Sequence, residues 1–131
     1  MKITRACDYA MRALLYMAEK PSGTLFMRSD LSKLSNVPDS FLGKIMQSLA
    51  KAEILTSERG KKGGFRLGKA PEEINMYDVI LAVDGDLQIT DCLYSSEFCD
   101  QTRHCSVHKV WNNIQNTITT QLKSTTLKDL M

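Results

Sequence analysis

The stretch "VPDSFLGKIMQSLAKAEILTSERGKKGGFRLGK", residues 37–69, carries three kinds of local signal in succession. Pro38 biases Val37 away from helix, so a tight connection "SNVP" ends there. From about Asp39 or Ser40 to Ala52 the apolar residues recur at helical spacing, which places Phe41, Leu42, Ile45, Met46 and Leu49 on an inward face. Two short extended runs, "ILTSER" and "GFRLG", then flank a turn rich in glycine and lysine and read as a β-hairpin.

Working outward, a shorter helix is expected just upstream, beginning near Arg28 and Ser29 with Ser29 as its N-cap and Leu31 and Leu34 inward at i,i+3. Two helices joined by so short a turn form a helix-turn-helix, and a basic hairpin directly after the second helix is a wing. A first helix is expected from a Thr4 cap to just before Pro21. Its apolar residues Ala6, Ala10, Ala13, Leu14 and Met17 make one face, and Arg5, Asp8 and Arg12 break up what would otherwise resemble a signal peptide. This reads as a cytoplasmic protein without a membrane segment.

Downstream, a short helix over Met76 to Val83 turns Val79, Ile80 and Val83 inward. From Ser106 a helix of four or five turns carries one apolar stripe, Val107, Val110, Trp111, Ile114, Ile118 and Leu122, and "STTLKDLM" adds a capped turn at Thr125 or Thr126. The expected fold is mainly α with a small β-hairpin wing. Residues 1–84 form a winged helix-turn-helix DNA-binding domain, 85–105 a cysteine-containing loop, and 106–131 a dimerisation helix and tail. A stripe of that length needs a surface to cover, and a second copy of the chain pairing through residues 106–123 would supply it.

Charge is divided along the chain. Residues 28–69 hold nine Lys or Arg against four Asp or Glu, a balance of +5, whereas residues 70–131 hold four against nine, a balance of −5. The basic half is the candidate for double-stranded DNA. Within it Ser40, Lys44 and Gln47 lie about a turn apart on the face opposite the apolar stripe, with Phe41 beside them. Arg28 stands at the start of the preceding helix, and Arg59, Gly60, Lys61 and Lys62 form the wing tip. Arg59 is the expected minor-groove contact. The turn "GKKGG" is neither a GxxxxGK loop with a following Ser or Thr nor a GxGxxG opening a helix, so nucleotide binding is a poor match.

The segment "DCLYSSEFCDQTRHCSVH", residues 91–108, gathers three of the four cysteines and both histidines. Cys92, Cys99, Cys105 and His108 are separated by six, five and two residues. Cys105 and His108, three apart at the start of the long helix, can share a face. On spacing alone three readings stay open: a Cys3His zinc site, an iron-sulfur cluster, or a metal-free thiol switch. The usual short cysteine pair of structural zinc sites is missing. Cys7 reads as a small apolar filler, His104 as a solvated loop residue, and Asp8 as an acid favoured by the helix dipole.

The start "MKIT", the helix "DYAMRALLYMA", the run from Val37 to Lys69 and the three-cysteine loop before a long helix together resemble the IscR and NsrR type of winged-helix transcriptional regulators. The resemblance spans essentially the whole chain. It implies a dimeric DNA-binding regulator, with a repressor expected, whose Cys92, Cys99 and Cys105 hold a 2Fe-2S or 4Fe-4S cluster that reports iron-sulfur status, redox state or nitric oxide. By the same resemblance His108 is the fourth ligand, with Asp8 of the other subunit as its alternative. The first spacer is one residue longer than in IscR-like members, and Gly43 stands where those have a glutamate, so site preference should differ. The rival class, a thiol oxidoreductase working through Cys105, lacks a CxxC pair and a general-base constellation and gives no reason for a basic wing. No enzyme activity and no small-molecule substrate are expected.

Overall fold

The computed structural model describes residues 2–131. Thr4 begins the first helix, α1 (Arg5–Ala18), by accepting a hydrogen bond from the Cys7 N–H at 3.2 Å. The same hydroxyl donates to Asp84 at 2.5 Å, so one residue both caps α1 and ties it to the far end of a later helix.

The second helix, α2 (Arg28–Ser35), starts at Arg28 as expected, but Ser29 does not cap it: the N-cap is Met27, two residues earlier, with no side-chain bond. The reason lies outside the local sequence. Phe26 pairs with Phe65 through two backbone hydrogen bonds of 2.8 Å, which hold the chain extended up to Met27 and release it into helix at Arg28. Leu34 is likewise not inward, being 58% exposed; α2 faces the core with Leu31 and Ser35, one helical turn apart. The buried Ser35 hydroxyl is satisfied by the Leu31 carbonyl. Asn36 closes α2 in the left-handed region (φ 56°), a conformation its short polar side chain tolerates, and Arg12 of α1 donates to its carbonyl at 3.1 Å.

The third helix, α3 (Asp39–Lys51), buries Leu42, Ile45, Met46 and Leu49 as its periodicity predicts. Phe41 departs from that expectation: it is 42% exposed and meets Tyr9 edge-on at 5.3 Å, at the rim of the core. Strands β1 (Leu55–Glu58) and β2 (Gly64–Leu67) pair antiparallel with Leu55 opposite Leu67 and Glu58 opposite Gly64. Gly64 is required where it stands, because a Cβ there would lie 2.3 Å from the Phe26 carbonyl oxygen. Gly60 at the tip has φ +108°, another position that favours glycine.

Helix α4 (Met76–Asp84) is capped by the Asn75 side chain, which accepts from the Asp78 N–H at 2.8 Å. The main core joins α1, α2, α3, the hairpin and α4 through residues such as Leu14, Leu31, Leu42, Met46, Leu49, Ile54 and Val79. Each leucine of this kind stabilises the fold by about 1.5–3 kcal/mol relative to exposure. The chain then passes through two short 3-10 turns, Asp91–Leu93 and Ser96–Phe98, into the long helix α5 (Ser106–Ser124). A last turn, α6 (Leu127–Leu130), is capped reciprocally by Thr126 and Asp129 and returns Leu127 to the main core.

Helix α5 is divided lengthwise. Ile118 and Leu122 pack with Cys7, Ile80 and Leu87 in a smaller core against α4. Val107, Val110, Trp111 and Ile114, at i, i+3, i+4 and i+7, form the rest of the same stripe and are 38–56% exposed.

Candidate functional site

Two regions carry the expected functional residues. On α3 the outward face presents Ser40, Lys44 and Gln47, all exposed, together with Gly43. Arg28 projects from the start of α2 beside them, its Nε 3.2 Å from Asp39 Oδ1. Arg59, Gly60, Lys61 and Lys62 are exposed at the hairpin tip, about the turn closed by the Gly63 N–H donating to the Gly60 carbonyl at 2.9 Å. Arg66 is not a free cation of this surface: its Nε donates to Glu58 across the strands at 2.8 Å, and its Nη1 donates to the Gly23 carbonyl. That pairing braces the wing and holds the Glu58 carboxyl below the usual carboxylate range. A groove lined by Arg28, Gly43, Gln47, Ser57, Glu58 and Phe65 separates the outer face of α3 from the hairpin.

In the cysteine loop, Cys92 Sγ lies 3.1 Å from His108 Nδ1 and 3.0 Å from the Thr90 hydroxyl. Cys105 is the N-cap of α5, and its Sγ accepts from the His108 N–H at 3.4 Å. All four cysteines are free thiols. The sulfur and imidazole donors suit an iron-sulfur cluster in kind. In position they fit only in part: Cys92 meets His108, but no group of three metal-ligating side chains converges among the described residues, and Cys99 stays outside the contact. Asp8, the alternative ligand, is paired with Arg12 of its own helix at 3.2 Å. Cys7 is buried, as expected of a filler, and burial followed by the charges of Asp84 and Asp8 pushes its thiol pKa up to about 11. Its thiolate is suppressed at neutral pH.

One residue of this region is not apparent from the sequence. Gln115 lies seven residues, two turns, beyond His108 and so on the same face of α5. Buried at 6% exposure, it donates to the Leu87 carbonyl at 2.6 Å and accepts from the Ile89 N–H at 3.0 Å. The segment 87–92 is thereby held along α5 at two points, by Gln115 on its backbone and by His108 on Cys92. The heptad spacing from His108 is the only signal in the sequence; the partners lie 26 and 28 residues away.

The family model for Rrf2, an iron-dependent transcriptional regulator, matches residues 3–131. The chain belongs to the Rrf2 family. Rrf2 proteins are DNA-binding transcriptional regulators rather than enzymes, which agrees with the sequence reading of the basic wing and of the missing catalytic constellation. Solved structures share the fold. A transcriptional regulator from Listeria innocua matches with a TM-score of 0.80 at 26% identity, over 99% of this chain and 85% of that one. CymR, described as the global cysteine regulator of B. subtilis, matches with a TM-score of 0.73 at 22% identity, over 99% and 95% of the two chains. T. potens IscR matches with a TM-score of 0.71 at 22% identity, over 99% and 85%. No helix among the described residues is long and apolar enough to cross a membrane.

Proposed function

We propose that this Rrf2 protein is a cytoplasmic homodimeric regulator of transcription, a repressor on its operators, that joins a sensing loop to DNA affinity through α5. In this reading residues 1–84 bind DNA, 85–105 sense and 106–131 dimerise. The α3 face (Ser40, Phe41, Lys44, Gln47), Arg28 and the wing residues Arg59, Gly60, Lys61 and Lys62 meet the duplex, supported by their common exposure and by the positive balance of this half. The apolar row Val107, Val110, Trp111 and Ile114 meets its counterpart on a second copy; four such side chains at helical spacing, open to water in the single chain, support that pairing.

The sensing loop binds an iron-sulfur cluster through Cys92, Cys99, Cys105 and His108, with Asp8 as the alternative fourth ligand. The observation that carries this reading is the 3.1 Å contact between Cys92 and His108, which brings a thiol and an imidazole from separate elements together, while Cys105 caps α5 by accepting from the His108 backbone N–H. A bound cluster would supply chemistry sensitive to iron-sulfur supply, redox state or nitric oxide. A second reading, a metal-free thiol sensor, is favoured by the lack of any cluster of three metal-ligating side chains among the described residues, and the likeness to a cysteine regulator is compatible with it.

Anaerobic purification separates the two. Cluster binding predicts brown protein with visible charge-transfer absorption that changes when His108→Ala is introduced and persists in Asp8→Ala. Colourless protein with no iron, whose DNA affinity falls on oxidation of Cys92 or Cys105, would establish the thiol reading instead. Stoichiometric zinc would overturn both.

A further inference from the structure

Gly43 occupies an unusual place on α3. It shares the outward arc with Ser40, Lys44 and Gln47, the positions of a recognition helix that face the base edges, yet it has no side chain to offer. A glycine in a helix interior is unfavourable by about 0.5–1 kcal/mol relative to alanine, so its presence calls for a physical reason. The reason lies on the neighbouring helix. A Cβ on Gly43 would stand 3.1 Å from Arg28 Nη1, 3.8 Å from Cδ and 3.9 Å from Cζ. The end of the Arg28 side chain therefore lies across the backbone of α3 where a side chain of residue 43 would begin.

Arg28 is also oriented. Its Nε faces Asp39, the first residue of α3, at 3.2 Å, and Asp39 is its one salt-bridge partner among the described residues. That leaves the terminal nitrogens, the two-pronged end of the fork, along the groove between α3 and the wing that Arg28, Gly43 and Gln47 line. The carboxylate beside it disfavours a phosphate as the ligand, because the anion would approach a like charge. It does not disfavour a neutral base edge that presents two acceptors. Guanine, with O6 and N7 in the major groove, is the base whose acceptor pair matches an arginine fork.

We propose that Arg28, laid over Gly43 and steered by Asp39, is a specificity-determining residue that selects one guanine in the operator. The vacant position on α3 is thereby read by a side chain borrowed from α2. This rests on α3 being the recognition helix, and it adds to that reading the identity of a reader and of its base.

The test is selection from a randomised duplex library with the full-length protein, followed by affinity measurements on single-base variants of the selected site. The wild type should enrich one guanine in each half-site and disfavour the other three bases there by roughly 5- to 150-fold, the range of a good bidentate pair. Arg28→Ala should make the four bases equivalent at that position while leaving the remaining positions and the salt dependence unchanged. Gly43→Ala, which improves helix propensity and so should not lower the melting temperature, should weaken the preference at that same position by pushing the fork aside. Arg28→Ala that weakens all sequences alike and lowers the salt slope by about 0.9 would identify a phosphate contact and overturn the proposal. Undiminished guanine preference in Arg28→Ala would do the same. A wild type that enriches no sequence would overturn the recognition-helix reading itself.

Discussion

Replacing Gln115 by leucine keeps the volume of the side chain and removes both ends of its clamp. The Leu87 carbonyl loses its donor and the Ile89 N–H its acceptor, at present 2.6 Å and 3.0 Å away. A buried backbone group left without a partner costs about 1–3 kcal/mol, and the half-buried setting of Ile89 admits some water, so a loss of about 2–4 kcal/mol is expected. Near the middle of that range the melting temperature falls by roughly 10 °C for a chain of this size. Equilibrium urea unfolding followed by circular dichroism gives the first number. Amide hydrogen exchange gives the location: the Ile89 N–H should exchange faster in the variant, while amides of α3, remote from the clamp, follow only the global change. A loss below about 0.5 kcal/mol with unchanged exchange at Ile89 would refute the clamp and, with it, the idea that segment 87–92 is fixed to α5 at two points.

Three further outcomes follow from described features. Because Cys7 binds its proton more tightly folded (pKa about 11) than unfolded (ordinary value 9.0), its contribution is intact below pH 9 and is lost as pH rises towards 11. At about 1.4 kcal/mol per unit the loss approaches about 3 kcal/mol, and Cys7→Ala should lose correspondingly less than wild type over that window in urea titrations; parallel curves would contradict it. Val110→Glu or Ile114→Glu, each on an exposed half of the α5 stripe, should leave the secondary structure intact and weaken dimerisation on the order of 100-fold; unchanged sedimentation would remove that face from the interface. Arg59→Ala should weaken duplex binding and reduce the slope of log affinity against log salt by about 0.9; unchanged binding would remove Arg59 from the interface.

The parts of this fold that the sequence discloses are those decided within a few residues. Pro38, the spacing Leu42–Ile45–Met46–Leu49 and the glycines of the turn each constrain the chain locally, and together they define α3 and the hairpin. Where the sequence misleads, a distant partner decides. Ser29 has the chemistry of a cap, but the pairing of Phe26 with Phe65, 39 residues on, starts the helix first. Leu34 and Phe41 are apolar at helical spacing, yet the core is set by Leu31 and Ser35 on one helix and by Leu42 and its neighbours on the next. In the loop, spacing singles out Cys92, Cys99, Cys105 and His108 but says nothing of which approach one another, because that depends on how segment 87–92 docks on α5.

The return of the chain at α6 bears on how the protein is made. Leu127 is fully buried in the main core with residues of α1, and the backbone on either side of Thr126 is stitched to the entrance of α4, with the Met76 N–H donating to the Thr125 carbonyl and the Leu127 N–H to the Ile74 carbonyl, each at 2.9 Å. A nascent chain on the ribosome can gather α1 to α4, but it presents an unfilled notch to the cell until residue 127 has emerged. During that interval the open notch is available to wrong partners, and closure of the chain onto Ile74 is the step that ends its exposure, whereas the apolar face of α5 stays open in the folded single chain. Turn α6, rather than the wing or α5, thus sets the moment at which the main core closes.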